Sequence, residues 1–236
     1  MNPTLIVASI RQRLASPLRM AVLAALVGLP LLPVAFAPAP GLWFLGDSLG
    51  IALVVAAGAI GPDVSAGVLQ ILFARPVRRS EYVLSRWCAL GLGAALVRLG
   101  QIAVATLILA ARGSAPASHD LVSLVVGNAL TPIGIAAVLV MLSSLAPGLG
   151  DLGLYLLGNL AGLVLEFWGR VAGRSFLERA GDEVRRFLTP DVDISPILNG
   201  GDVPWFAIVS YLSTVTLCLA VAVVVMNRKE LSYASG

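Results

Sequence analysis

The sequence predicts an all-α, polytopic membrane protein with six transmembrane helices, and three observations carry that prediction. Hydrophobic residues make up 58% of the 236-residue chain and charged residues only 12%, about half the roughly 25% that water-soluble domains carry. Apolar runs of the roughly 20 residues needed to cross the hydrocarbon layer recur six times. Arginines gather at the ends of those runs rather than along a soluble face, so membrane topology explains the net charge of +3 better than nucleic-acid binding does.

The chain reads as one membrane domain, 1–236. It begins with an interfacial helix, 1–18: Ile6, Ile10, Leu14 and Leu18 recur at i, i+4 spacing opposite Arg11, Gln12 and Arg13, and Pro17 interrupts the pattern. This helix would anchor on the membrane surface or bind a partner. The spans follow at about 19–36, 42–61, 84–111, 120–146, 150–168 and 204–226. Ala35-Phe36-Ala37 resembles a signal-peptide cleavage site, but the leader before the first run is long and half apolar, so a retained span is expected. Asp47 makes the second span the weakest. Pro147-Gly148-Leu149-Gly150 joins the fourth and fifth spans by a tight reversal.

With six spans, Arg11, Arg13, Arg19, Arg75, Arg78, Arg79, Arg86, Arg228 and Lys229 fall on one side, opposed there by Asp63, Glu81, Asp151 and Glu230. The positive-inside rule makes that side the cytoplasm, with both termini inside a plasma (inner) membrane. The segment 169–203 then lies outside. Within it Phe176, Ala180, Val184 and Phe187 form an apolar stripe opposite Arg179, Asp182, Glu183 and Arg186. An external amphipathic helix before the last span is expected, either capping an exit or resting at the interface.

The loop between the second and third spans, 62–82, stands out. Val64, Val68, Ile71 and Leu72 follow helical spacing; Pro62 suits a helix start, Pro76 a stop and Ser80 an N-cap. Arg75, Arg78 and Arg79 cluster beside the third span. Retention on the positive side explains the arginines alone, but not the order helix, Arg-Pro, Arg-Arg, Glu.

Residues 63–86, DVSAGVLQILFARPVRRSEYVLSR, resemble the loop after the second span of the ABC transporter type-2 permeases, the membrane subunits of ATP-driven exporters. Asp63, Gly67, Arg75, Pro76, Arg79, Glu81 and Tyr82 match the family pattern, which usually has Glu at Asp63, often Thr at Val68 and Lys at Arg86. The resemblance implies that Asp63, Gly67, Val68, Leu72, Arg75, Pro76, Arg79 and Glu81 form a coupling helix docking on a separate ATP-binding cassette ATPase subunit. It also implies a second permease copy or homologue as partner, with ATP and Mg held on the ATPase. This chain would bind no cofactor itself and would not be an enzyme, consistent with the lack of a G-x-x-x-x-G-K-[ST] phosphate loop. Alternating access driven by the partner's ATP cycle is the implied mechanism.

Inside the spans, Arg98 is expected to face protein or water, because a charge at the bilayer centre costs about 2.5–3.5 kcal/mol. Gln101, Asn128 and Asn159 are candidate neighbours, either on a substrate path or as interhelical glue. Glu166 could pair with a nearby arginine. Gly158 and Gly162 form a G-x-x-x-G step allowing close helix approach, to a second copy in a dimer or within one chain. Cys88 and Cys218 fall in apolar spans and are expected to be free thiols. His119 is the only histidine, so no imidazole-built metal or acid–base site is expected. Membrane lipids, and no nucleic acid, complete the expected partners. A polytopic enzyme or scaffold using 62–82 only as a topology signal is the main alternative. A secondary transporter is weakened by the scarcity of acids deep in the spans.

Overall fold

The computed structural model describes residues 3–65, 78–146, 148–198 and 201–228, and is all-helical there. Helices α1 (Pro3–Leu14), α2 (Pro17–Phe36), α3 (Leu49–Ala56), α4 (Gly61–Ser65), α5 (Arg79–Ala111), α6 (Ser118–Leu145), α7 (Gly150–Val171), α8 (Ser175–Leu188), α9 (Ser195–Leu198) and α10 (Trp205–Arg228) follow in order, with a 3-10 turn at Leu42–Leu45. Six stretches are long and apolar enough to cross a membrane: Pro17–Phe36, Leu42–Asp63, Arg79–Ala111, Ser118–Leu145, Gly150–Val171 and Trp205–Arg228. They match the expected spans to within a few residues, and the chain is a multi-pass membrane protein.

Helix α6 is the central post. Ile135 to Val140 are buried on every side, the signature of a helix apolar all round and enclosed by others. Around it pack α3, α5, α7 and α10, whose Ile51, Leu90, Tyr155 and Met226 share one core with it. A smaller cluster, Val34, Leu45, Ile102, Ala105 and Leu109, ties the end of α2 and the 3-10 turn to α5. Trp87 donates its indole N–H to the Ile133 carbonyl at 3.0 Å, and Gly91 lets α5 approach the backbone of α6 there. Helix α2 is peripheral, with Leu18, Leu29 and Phe36 exposed, as expected of a lipid-facing span. Arg112 closes its far end by donating to the carbonyls of Val34 and Ala37 at 3.1 and 2.9 Å.

Three expectations need correction. The third span begins at Arg79 with Arg78, not Ser80, at the N-cap position. The second span is not one helix: it runs as the 3-10 turn, α3 and α4 with an unwound step at 57–60. The segment 169–203 does not stay beyond the end of the spans. Helix α8 turns back at Gly173 (φ +63°) and runs antiparallel along α7. A Cβ at Gly169 would overlap the Glu178 backbone, one at Gly162 would meet Gly181 and Arg185, and one at Gly158 would meet Leu188 at 2.8 Å. Glu166 draws the helices together by pairing across the seam with Arg185 of α8 at 2.9 Å, while also pairing with Arg170 on its own helix. Glycine on both faces therefore brings α8 beside the span as far as Tyr155, whose hydroxyl meets Thr189 at 2.9 Å. Gly158 and Gly162 thus face a helix of their own chain rather than a surface left open for a second copy.

Candidate functional site

The break in the second span is a densely bonded polar feature of the described bundle. Unwinding a helix strands backbone donors and acceptors, which lipid cannot satisfy, so neighbouring helices must. Asp151 at the start of α7 accepts from the Gly58 N–H at 2.6 Å and the Ala59 N–H at 3.4 Å. Ser143 near the end of α6 accepts from Ile60 and Gly61, both at 2.8 Å. Arg13 of α1 takes the other side, donating to the carbonyls of Ala57 and Gly58, and Arg19 of α2 reaches Ala57 at 3.5 Å. Four helices thus hold one step of chain. Glycine is required at two positions. Gly58 has φ +68°, and a Cβ on Gly61 would overlap the Gly148 carbonyl oxygen in the α6–α7 reversal. Burial, with Arg19 and Arg86 nearby, pushes the Arg13 guanidinium down to about 9, while Asp151 and Tyr82 act the other way.

One turn further on, the described residues that flank 66–77 are tied together. Asp63 on α4 pairs with Arg86 on α5 and accepts from the Tyr82 hydroxyl at 2.6 Å. Arg86 also donates to Tyr82 at 3.3 Å and to Gln12 of α1 at 3.1 Å. Asp63 and Arg86 are 5% and 6% exposed, so each depends on the other for its charge. Arg79 donates to the carbonyls of Met226 and Asn227 at 2.7 and 3.0 Å, closing the end of α10. Glu81 lies in the first turn of α5, where a carboxylate suits the helix dipole. Gly67, Val68, Leu72, Arg75 and Pro76 lie outside the described residues.

The polar residues expected within the spans divide in two. Arg98, 1% exposed, donates to Asn128 Oδ1 at 2.7 Å, Gln101 Oε1 at 2.6 Å, the Leu45 carbonyl at 3.0 Å and the Gly46 carbonyl. Those backbone oxygens sit where the 3-10 turn ends, at Gly46 with φ +60°. Gln101 donates to the carbonyls of Leu26 at 3.2 Å and Val27 at 2.9 Å. Pro30 of α2 has no N–H for Leu26, so Gln101 replaces a helical bond the proline removes. Arg98, Gln101 and Asn128 therefore fasten irregular backbone of two other spans to α5. Arg98→Met is expected to strand four oxygens at about 1–3 kcal/mol each. Its melting temperature in detergent, read by tryptophan fluorescence, should fall well below that of the unaltered chain.

Asn159 goes elsewhere. It donates to the Tyr155 carbonyl at 3.0 Å and lines a cavity of about 540 Å³ between α3, α7, α8 and α10. Asp47, Asp182, Arg186, Asp191, Ser210 and Thr214 give that cavity a polar wall, which wet space beside a span requires. It exists because α8 brings its charged face back alongside α7.

The motif had pointed to Asp63, and Tyr82 and Arg86 lay in the matched stretch. Sequence reasoning missed Gly58, Ser143 and Asp151 as partners of a break, and saw Arg13 as a topology charge on the polar face of the interfacial helix. The available signal was Ala57-Gly58-Ala59 followed by Gly61-Pro62, small residues and a proline inside an apolar run. No family model matches the chain, and no curated protein matches it.

Proposed function

We propose that this chain is the permease subunit of an ATP-binding cassette exporter. Its loop 62–82 docks on a separate ATPase subunit that carries ATP and Mg, and a second permease copy or homologue completes the transporter. The observation that carries the reading is the tie of Asp63, Tyr82 and Arg86 at the base of the loop 66–77, next to the broken span. A push on the loop reaches α4 and α5 through that tie, and α1, α6 and α7 through Arg13, Ser143 and Asp151. That is the mechanical linkage alternating access needs: rigid helices moving about a short unwound step. The basic residues around the break support a reading in which this end faces the cytoplasm of a plasma (inner) membrane, with both termini inside and α1 at the interface. The cavity that Asn159 lines is the candidate pathway. Arg98, Gln101 and Asn128 hold the bundle together beside it.

Isolation from the native membrane in mild detergent tests the reading. An ATPase subunit should co-purify, and Arg75→Glu should abolish its retention while leaving insertion intact. Arg75 is preferred to Arg79, whose bonds to the end of α10 give its reversal a structural cost. A chain that never retains an ATPase, or an Arg75→Glu chain that retains it fully, overturns the proposal in favour of a loop that only sets topology.

A further inference from the structure

A cavity of about 200 Å³ opens between α1, α2, α3 and α5, away from the polar cavity. Leu23, Val54, Val55 and Val97 form its apolar wall, and Arg13 and Arg19 stand at one end. Met20 and Leu96 on its rim are 41% and 67% exposed, so it opens sideways into the layer that surrounds the bundle. It is smaller than the roughly 300–1,000 Å³ usual for soluble small-molecule sites and offers almost no polar wall apart from the two arginines.

Among the described residues, charge around that end is unbalanced. Arg13, Arg19 and Arg86 converge there against Asp63 and Asp151. Asp63 is committed to Arg86 and Tyr82, and Asp151 to the Gly58 and Ala59 amides. Arg13 spends its donors on two carbonyls, and Arg19 makes one long bond of 3.5 Å. A guanidinium pair at the end of a span, over an apolar slot open to the side, matches a phosphodiester with an acyl chain below it in both charge and depth.

We propose that this groove binds one anionic phospholipid, its phosphate on Arg19 and Arg13 and one acyl segment against Val54, Val55 and Val97. The phosphate competes with the Ala57 and Gly58 carbonyls for Arg13, so the lipid acts on the unwound step of the second span. The inference rests on the groove and its charges, not on the transport reading.

Purified chain in mild detergent, titrated with phosphatidylglycerol, phosphatidylcholine or inorganic phosphate at fixed ionic strength, tests this. Phosphatidylglycerol should raise the melting temperature saturably, with one lipid retained in native mass spectra; the other two should not. Arg19→Gln should raise the half-saturating concentration at least tenfold, whereas Arg11→Gln, altering an exposed α1 residue, should leave it unchanged. Should Arg19→Gln fold poorly, Gly93→Leu supplies the second test. A Cβ at Gly93 would meet only Val55, at 3.9 Å, so the larger side chain fills the slot and should remove the lipid response. Equal shifts with phosphatidylcholine, a shift with phosphate alone, or a response unchanged in both Arg19→Gln and Gly93→Leu would each overturn the proposal.

Discussion

Arg86→Leu is expected to cost about 3–5 kcal/mol, the range seen when one member of a buried ion pair is removed. Among the described residues Asp63 then keeps its charge with only the Tyr82 hydroxyl to face it, in a site 5% exposed. The double variant Asp63→Asn/Arg86→Leu should recover most of that loss. Asparagine still accepts from Tyr82, and no charge is stranded. The coupling between the two sites, extracted from a double-mutant cycle of melting temperatures or denaturant midpoints, is expected to exceed about 1 kcal/mol, as directly contacting residues do. Losses that simply add would mean the pair contributes nothing beyond its separate parts. On the proposed transport reading the same cycle bears on the Asp63–Arg86 tie: a double variant that is stable yet fails to pass motion from an ATPase partner to the bundle would mean that the pair serves motion and not merely folding.

Asp151→Ala carries the second large effect. The residue is 0% exposed and takes the amides of Gly58 and Ala59. Removing it leaves two buried donors unanswered at about 1–3 kcal/mol each and takes away the carboxylate that faces Arg13. Asp151→Asn keeps an acceptor and loses the charge, so its effect should be clearly smaller. Hydrogen exchange gives a local readout: in Asp151→Ala the amides at 58 and 59 should exchange many-fold faster while those in the centre of α6 stay protected. Uniform acceleration across the chain would mean that Asp151 supports the whole bundle and not the unwound step.

The spans were legible because an apolar run of 20 or more residues has few alternatives in a chain this hydrophobic. The break was not, for a physical reason. Residues 57–60 are Ala, Gly, Ala and Ile, and by hydropathy they belong to the span around them. What unwinds them is supplied from elsewhere: Arg13 at a separation of 44 residues from Ala57, Ser143 at 83 from Ile60 and Asp151 at 93 from Gly58. A single sequence carries no direct record of such pairings. The same limit applies to α8. Its amphipathic stripe was plain, but a stripe states that one face needs cover and not which helix covers it. Gly158 and Gly162 announced a close helix approach; only the fold identified α8 of the same chain as the visitor. Arg98 lay between these cases, since its need for nearby acceptors follows from its depth, and Asn128 and Gln101 were within reach by position.

The return of α8 along α7 has a consequence for how the protein is made. Helix α8 carries six charged residues in 14. Arginine and aspartate each cost about 2.5–3.5 kcal/mol at the middle of a membrane helix during insertion, so α8 cannot enter the bilayer on its own account. It arrives only after α7 is in position, drawn by the glycine seam and by Glu166, with its outer face kept wet. Biogenesis is therefore expected to follow that order. A substitution that closes the seam, such as Gly181→Val beside the Gly162 and Glu166 backbone, should fail during assembly, leaving six inserted spans and a segment that a protease can cut.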